Sequence, residues 1–495
     1  MTTRTIDELC FDPRVAVAEL PATDYAGRDD AAEAQAVEAL SSLARQIDWV
    51  DESKARGAFA RVIPEGARVL VKPNLVTHEN QGPWGMIPLV THQSLIRAAV
   101  AEALRAAPSE VVVGDAPIQG CEFAELLKGM RLDTWAEELK AHEPRFKGIR
   151  DFRRTTSMFV GGVRVAAENK QPEDRFVLFD LGRESLLEPI TDGQESFRVT
   201  CYDPRMLART HAPGRHQYLV AREVIEADVI INLPKLKTHK KAGITCALKN
   251  LIGINGNKEY LPHHRIGGAT RGGDCYPGGS RIKGTLEFFA DQQNTATSFT
   301  VGRLWRGVSM PLFRALSVLG ESQDLEGSWS GNDTIWRTCL DLNRILLYGR
   351  ADGTLADEPQ RKVVHVVDAV VAGQGDGPLA PQPLPMGLMF AGSNPAAVDW
   401  VGAHLLGYDP SKISIAREAF GEFRWPLTRF TPRDIAVCGD LGAGRADDLL
   451  PSAKKPQSII YPEGWRDAAT VNDARTATGN FGDETAPTSA SANVS

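Results

Sequence analysis

Residues 227–254 read ADVIINLPKLKTHKKAGITCALKNLIGI, and this stretch decides the fold class. Its run DVIINL at 228–233 is apolar and rich in β-branched residues, which is typical of a buried strand. The polar segment PKLKTH follows directly, and 242–251 then has the composition and spacing of a helix. A buried strand that passes through a polar loop into a helix is the repeating unit of an α/β protein.

Further strands and helices lie on both sides of this stretch. On its N-terminal side, ARVLV at 67–71 predicts a strand, 92–107 a helix, and EVVV at 110–113 a second strand. On its C-terminal side, VVHVV at 363–367 and GLMFA at 387–391 predict two more strands. Strand–helix–strand order implies parallel pairing. We therefore predict an α/β fold with a mostly parallel sheet, flanking helices and inserted α+β segments.

The remaining stretches set the expected domain organisation. We expect a helical N-terminal region at 1–65, and a main α/β domain formed by 66–119 and 216–450. The less regular residues 120–215 are expected to form an insertion or subdomain. The Ala-, Thr-, Ser- and Asn-rich residues 467–495 are expected to be a disordered tail.

Bulk composition describes an ordinary globular chain without a strong global charge. Of its 495 residues, 42% are hydrophobic and 24% are charged, and the formal net charge is −7. The acidic balance argues against nucleic acid as a partner. No run reaches the roughly 18 apolar residues of a membrane span, so we expect no membrane partner. The most apolar run, 308–320, carries Arg314 and is predicted to be a core helix.

The cysteines indicate the cellular compartment. There are seven, they are scattered, and no Cys-x-x-Cys pair occurs among them. This pattern argues against a disulfide framework and against a structural zinc site. We therefore expect a cytoplasmic protein.

Polar residues stand at the ends of the predicted strands. They are Lys72 and Asn74 after the first strand, Asp115 after the second, Asn232 with Lys235 and Lys237 at the third, Asp368 after the fourth and Asn394 after the fifth. Because ligands bind at the carboxyl ends of parallel strands, we expect these residues to converge on one crevice. The alternative is that polar residues mark strand ends in any α/β protein.

The lysines of the central stretch predict an anion site. Residues 229–258 contain six lysines and no Asp or Glu. Lysines without acids repel one another and favour a bound anion, and a helix that starts near 242–245 would add free N–H groups. The alternative is a solvated basic loop, or lysines paired with acids from elsewhere. The residues predicted to bind a small carboxylate or phosphate are Lys72, Asn74, Asn232, Lys235, Thr245, Lys249 and Asn250.

Lys237 and His239 are the predicted catalytic pair. They are two residues apart after the strand, so an extended backbone points both side chains the same way. A desolvated lysine beside other cations has a lowered pKa and can act as a base or nucleophile, and a histidine can shuttle protons. We predict that Asp115 or Asp376 orients a base or a metal. Asp376 lies in GQGDGP at 373–378, which predicts a tight turn.

Two other functions stay open at this point. The first is a metal or redox-cofactor protein, because several residue types that ligate metals occur together or nearby. These candidate metal ligands are His239, His263, His264, Asp274 and Cys275. The second is a non-catalytic module whose lysines dock an acidic partner. The oligomeric state is not indicated by the sequence.

Five segments resemble the domain of unknown function 362 family. They are VLVKPNLV (69–76), VVVGDAP (111–117), the whole of 227–254, VVDAVVAGQGDGP (366–378) and FAGSNPAAVDWVGAHLLGYDP (390–410). The family-motif positions that the resemblance marks are Lys72, Asn74, Asp115, Lys235, Lys237, His239, Lys249, Asn250, Asp376 and Asp399. Many members of the family carry a ferredoxin-like iron–sulfur domain. This chain has no Cys-x-x-Cys-x-x-Cys run, so no ferredoxin-type cluster is expected. The resemblance implies no particular reaction.

Overall fold

The structure is a computed structural model that describes residues 3–20, 25, 29–53, 56–160, 163–296, 298–319, 325–453 and 458–470. Its strands are β1 (Arg14–Glu19), β2 (Arg68–Pro73), β3 (Glu110–Asp115), β4 (Phe146–Asp151), β5 (Thr155–Val160), β6 (Val163–Asn169), β7 (Phe176–Asp180), β8 (Phe197–Arg198), β9 (His211–Ala212), β10 (Arg215–Ala221), β11 (Val229–Leu233), β12 (Lys235–His239), β13 (Gly243–Thr245), β14 (His264–Arg265), β15 (Lys362–Asp376), β16 (Ala380–Gly392), β17 (Ala436–Gly439) and β18 (Gly444–Arg445).

Its α-helices are α1 (Ile6–Cys10), α2 (Asp29–Gln46), α3 (Gln93–Arg105), α4 (Phe123–Gly129), α5 (Leu132–His142), α6 (Pro204–Thr210), α7 (Arg222–Glu226), α8 (Ala247–Asn250), α9 (Arg281–Thr295), α10 (Phe299–Val318), α11 (Ile335–Tyr348), α12 (Pro395–Leu405), α13 (Ser414–Glu418) and α14 (Ala446–Leu449). Short 3₁₀ helices are Glu173–Arg175, Gly182–Glu184, Glu188–Ile190, Leu251–Ile254, Lys258–Tyr260, Ala269–Arg271, Pro410–Lys412, Pro432–Asp434, Leu450–Ser452 and Arg466–Ala468.

One mixed sheet forms the centre of the protein, in the order β18-β17-β1-β16-β15-β11-β2-β3-β4. The five strands from β15 to β4 in this order are parallel. Strand β16 is antiparallel to both β1 and β15, and the short β12 and β13 attach beside β15. The predicted α/β fold with a mostly parallel sheet is therefore confirmed.

The central strands are buried because helices cover both faces of the sheet. In β11, Val229 and Ile231 belong to one apolar cluster and Ile230 belongs to the other. Successive side chains of a strand point to opposite faces, so a strand with two covered faces has to be apolar throughout. This requirement is why the run DVIINL shows no polar alternation before Asn232.

The prediction of a helical region at 1–65 is wrong in one respect. Strand β1 lies within it and pairs with β16 on one side and β17 on the other. Four consecutive residues of its sequence RVAVAE are buried. An unbroken run of Ala and Val fits a buried strand as well as a helix, and only the sheet neighbours decide.

The region 120–215 is not wholly separate from the main sheet. Its strand β4 pairs in parallel with β3, while β5 and β6 form a hairpin of their own. Strand β7 pairs with β10 in a smaller sheet. The division of the chain into domains stays a prediction.

The predicted tail does not start at residue 467. The amide of Asp409 donates to the carbonyl of Ala468 at 2.8 Å, and Ala468 is buried. Residues 467–470 are therefore ordered by contact with the main domain, and 471–495 lie outside the described residues.

One local prediction near the site is wrong. Residues 243–245 form β13, antiparallel to β12, and the helix that follows begins only at Ala247. Gly243 has φ +81°, which a helix does not accommodate. The error comes from pairing between strands, which local composition does not encode.

The turn predicted at 373–378 is displaced toward its C-terminal end. Strand β15 continues to Asp376, and residues 377–379 form the turn that joins β15 to β16.

The apolar run 308–320 is not a core helix. It forms the second half of α10, in which only Gly302, Ser309 and Leu316 are buried. Among the described residues, no helix is both long and apolar enough to cross a membrane.

Candidate functional site

Lys72 is held in a buried ion pair at the end of β2. Its ammonium nitrogen donates to Asp115 Oδ1 at 2.7 Å, to the Pro73 carbonyl at 2.9 Å and to Asn250 Oδ1 at 3.3 Å. The side chain has no exposed surface, and burial lowers its pKa while Asp115 opposes that shift. The charge of Lys72 is thus balanced by Asp115, and its three N–H donors are taken up by acceptors within the protein.

Asp115 serves Lys72 and the backbone around it. The amides of Leu75 and Ala116 donate to its carboxylate at 2.7 and 3.0 Å. The backbone at Gly253 packs so closely that a Cβ there would lie 1.9 Å from Asp115 Oδ1. A carboxylate with these four neighbours positions Lys72, and no contact links it to Lys237 or His239.

Asn250 and Asn232 join α8 to the sheet. Asn250 Nδ2 donates to Asn232 Oδ1 at 2.7 Å, and Asn232 Nδ2 donates to the Ala247 carbonyl at 3.1 Å. Asn232 Nδ2 also lies 3.0 Å from Nδ1 of His365, whose pKa burial lowers to about 3. The ring of His365 is therefore neutral and accepts this bond. Both amides are buried and occupied, which indicates a structural role.

Lys235 forms a second buried ion pair. Its ammonium nitrogen lies 2.7 Å from Asp368 Oδ2, and neither side chain is exposed. The Tyr25 hydroxyl donates to Asp368 Oδ1 at 2.6 Å, and the His92 amide donates to Oδ2 at 2.9 Å. The rings of Tyr25 and His92 stack with centroids 3.6 Å apart.

Lys237 is the buried lysine of β12 that has no acidic partner among the described residues. Its ammonium nitrogen donates to Asn74 Oδ1 at 2.9 Å and to the Leu89 carbonyl at 2.5 Å. Burial, with the nearby charges of Lys235 and Lys249, lowers its pKa well below the ordinary lysine value. An uncharged amine has two N–H bonds, and two acceptors occupy them here. Its lone pair is left over for chemistry.

His239 is held as a neutral ring with a defined tautomer. The amides of Lys241 and Ala242 donate to its Nδ1 at 3.0 and 3.2 Å. Burial, and next the charge of Lys249, lower its pKa well below the ordinary histidine value. Because Nδ1 accepts these bonds, the proton of the neutral ring sits on Nε2.

Lys249 is half-buried on α8, and no hydrogen bond or ion pair joins its ammonium to any described residue. Burial lowers its pKa. Its charge is in turn a cause of the lowered pKa of Lys237, His239 and His263, so the four groups are neighbours. Thr245 on β13 lies opposite Lys237 on β12. Its side-chain hydroxyl is buried and has no hydrogen-bond partner among the described residues.

The five candidate metal ligands do not converge. His263 donates from Nδ1 to the Leu261 carbonyl at 2.6 Å. Burial, and next the charges of Lys241 and Lys249, lower its pKa well below the ordinary histidine value. Its neighbour His264, at the start of β14, instead lines a separate cavity of about 440 Å³.

Asp274 and Cys275 are used within the fold. Asp274 accepts hydrogen bonds from the Arg265 amide, the Asp333 amide and the Thr334 hydroxyl. Burial raises the pKa of the Cys275 thiol above its ordinary value. Over the described ranges, no three His, Cys, Asp or Glu side chains are placed to hold a metal ion, so the predicted ligand set is wrong.

Asp376 is also apart from the other candidates. It is exposed near the tip of the β15–β16 hairpin, opposite Ala380. No described side chain bonds to its carboxylate. The structure therefore does not support its predicted role in orienting a base, since it lacks contact with Lys237 or His239.

Two contributors were not found from the sequence. Leu89 supplies a carbonyl to Lys237, and Tyr25 belongs to the Lys235 cluster. Asp368, which stands at a predicted strand end, is the partner of Lys235 in that cluster. A backbone carbonyl and a tyrosine 343 positions from its partner carry no signal in the sequence.

Part of the chain is similar to a family of known proteins. Residues 187–404 match the family described as Domain of unknown function (DUF362), and this range includes β12, β13 and α8. A thylakoid-associated protein of Synechocystis sp. is 22% identical over 389 residues, which cover 77% of this chain and 78% of that protein.

Two solved structures are similar to this chain at a low level. A crystal structure of a Thermotoga maritima protein shares 12% identity with a TM-score of 0.31, over 74% of this chain and 57% of that one. The lactate racemase apoprotein of Thermoanaerobacterium thermosaccharolyticum shares 11% identity with a TM-score of 0.30, over 82% of this chain and 59% of that one. The chain spans less than two thirds of either. The match over residues 187–404 confirms the resemblance that the motifs indicate: in this range the chain is similar to the family Domain of unknown function (DUF362).

Proposed function

We propose that this protein is an enzyme that acts on a small carboxylate or phosphate anion. In this proposal Lys249 and Lys237 hold the anion, and Lys237 and His239 transfer protons. The observation that carries it is a difference between lysines. Lys72 and Lys235 have carboxylate partners at 2.7 Å, whereas Lys237 and Lys249 have none among the described residues.

Charge balance supports an anion at this position. Burying an ammonium group without a counter-charge is costly, and neighbouring ammonium groups repel one another. The pKa values of Lys237 and Lys249 are lowered for this reason, with burial as the main cause. A bound carboxylate or phosphate would remove the repulsion, and the Nε2–H of His239 is a further donor for it.

The two predicted catalytic residues would have different tasks. A lysine with a depressed pKa has a larger uncharged fraction than an ordinary lysine, so Lys237 can accept a proton or attack a carbonyl carbon. His239 presents Nε2–H and can donate that proton to a developing oxyanion. The proposal leaves out four of the substrate-binding residues that the sequence predicts, because their side chains already bond within the protein. They are Lys72, Asn232, Lys235 and Asn250.

Burial favours a small ligand over an acidic protein partner. Lys235 and Lys237 have no exposed surface, and Lys249 is only half-buried. A folded partner cannot reach such groups, whereas an anion of a few atoms can. The lysines are thus better placed for a substrate than for docking.

An anion screen tests the proposal. Phosphate and a set of 2-hydroxy and 2-oxo carboxylates would be added to the wild type, Lys249→Gln and Lys140→Gln, with the melting temperature as the readout. Lys140 is exposed on α5 and serves as the charge-matched control. We expect at least one anion to raise the melting temperature of the wild type and of the control but not of Lys249→Gln. Equal shifts in all three proteins would contradict the proposal.

A further inference from the structure

Helix α10 touches the rest of the protein along one narrow stripe. Its buried residues are Gly302, Ser309 and Leu316, which are spaced by seven. Residues seven apart lie almost above one another on a helix. The helix is attached partly through α9, where the rings of Phe289 and Trp305 stack with centroids 5.7 Å apart. Most of its circumference therefore faces solvent.

Large apolar side chains occupy much of that exposed surface. Leu304 is 64% exposed and Leu319, just after the helix, is 61% exposed. With Val301, Val308 and Val318, which are also exposed, they follow helical spacing and fall within an arc of about 100° at 100° per residue. Exposed apolar patches of this kind mark interaction surfaces. No described residue covers this apolar face.

The charge of α10 indicates what covers it. Residues 299–318 contain Arg303, Arg306 and Arg314 but no Asp or Glu, in a chain of net charge −7. On the same wheel, Arg314 and Arg303 lie about 40° and 60° beyond the edge of the apolar arc that Val318 forms. None of the three forms an ion pair within the part of the chain that the structure describes. An apolar arc bordered by arginines complements an anionic lipid surface.

We infer that α10 docks this protein onto an anionic membrane surface. Its apolar arc would enter the headgroup region while the arginines meet lipid phosphates. Attachment of this kind needs no membrane-spanning helix. It is therefore compatible with the finding that no described helix is long and apolar enough to cross a membrane. Self-association through the same face is disfavoured, because a symmetric contact would bring arginines of the two copies together without acids to balance them.

Vesicle sedimentation with the full chain tests this inference. Vesicles of phosphatidylglycerol and phosphatidylcholine would be compared with pure phosphatidylcholine. We expect binding to the anionic vesicles, and its loss by more than about tenfold in Leu304→Asn/Val308→Asn. Each of Arg303→Gln and Arg314→Gln should weaken binding by about fivefold, and added salt should act in the same direction.

The control is Leu178→Asn, since Leu178 on β7 is also exposed. It should bind anionic vesicles like the wild type. The inference is overturned if the wild type fails to bind anionic vesicles or binds both kinds equally. It is also overturned if sedimentation velocity shows a dimer that Leu304→Asn/Val308→Asn dissociates, because the face then belongs to a second copy. If the double variant does not fold, the arginine variants decide alone.

Discussion

The ammonium nitrogen of Lys235 lies 2.7 Å from a carboxylate oxygen of Asp368, and both side chains are fully buried. Two residues further on, Lys237 is equally buried but bonds only to neutral oxygens of Asn74 and Leu89. The strand β12 thus carries one lysine that is neutralised within the protein and one that is not. This difference separates the structural lysines from those assigned to the substrate.

Asp368→Asn should destabilise the protein strongly. Removing one partner of a buried ion pair leaves the other charge uncompensated, which costs about 3–5 kcal/mol. Urea unfolding at pH 7 would measure the loss. Asp376→Asn is the matched control on the same strand, and because Asp376 is exposed its effect should stay within about 0.5 kcal/mol. Similar stabilities for the two variants would show that the pair is not buried as described.

Anion binding should be accompanied by proton uptake at Lys237. Its pKa is lowered well below the ordinary lysine value, first by burial, so the amine holds its proton less tightly than an exposed lysine before an anion binds. A bound anion favours the protonated form, and the affinity should therefore fall as the pH rises. Titration calorimetry in buffers of different ionisation enthalpy would detect the uptake. Lys237→Met should abolish it, and uptake that persists in this variant would assign the proton to another group.

Stability should rise with pH above neutrality because of Lys258. Burial lowers its pKa from 10.5 to about 7, and its ammonium group donates to the Ala116 carbonyl at 3.0 Å. Between these two values the unfolded chain holds the extra proton, so the free energy of unfolding increases with pH by at most about 1.4 kcal/mol per unit. Lys258→Met should flatten this rise. Lys140→Met, at an exposed site, should leave it unchanged, and an unaltered slope in Lys258→Met would refute the assignment.

Asp399 should have the opposite effect. It is buried on α12, the Leu248 amide donates to Oδ1 at 3.1 Å, and burial raises its pKa to about 7. Here the folded protein holds the extra proton, so stability falls as the pH rises from about 4 through 7. Asp399→Asn should remove this fall and be more stable than the wild type at pH 8 by about 1–3 kcal/mol. Unfolding at pH 5 and pH 8 would test it. A variant less stable than the wild type at pH 8 would count against it.

Several features follow from the sequence alone. The strand predicted at 228–233 is observed at Val229–Leu233, and the helix predicted at 92–107 is observed at Gln93–Arg105. Both are local apolar patterns with polar ends, and in these two segments the local pattern is enough to distinguish strand from helix. The family motifs and the acid-free lysine stretch are likewise recognisable in the sequence alone.

Only the tertiary structure decided which of those lysines carry an unbalanced charge. The carboxylate that neutralises Lys235 comes from Asp368, more than a hundred residues away, and that of Lys72 comes from Asp115 on the neighbouring strand. It also decided that β1 joins the main sheet and that most of α10 faces solvent. The spacing of apolar residues predicts that a segment has an apolar face. Contacts between distant segments determine which residues pack on that face and which group pairs with each charge. The sequence therefore indicated a candidate site, and the packing of distant strands determined which of its lysines have a carboxylate partner among the described residues.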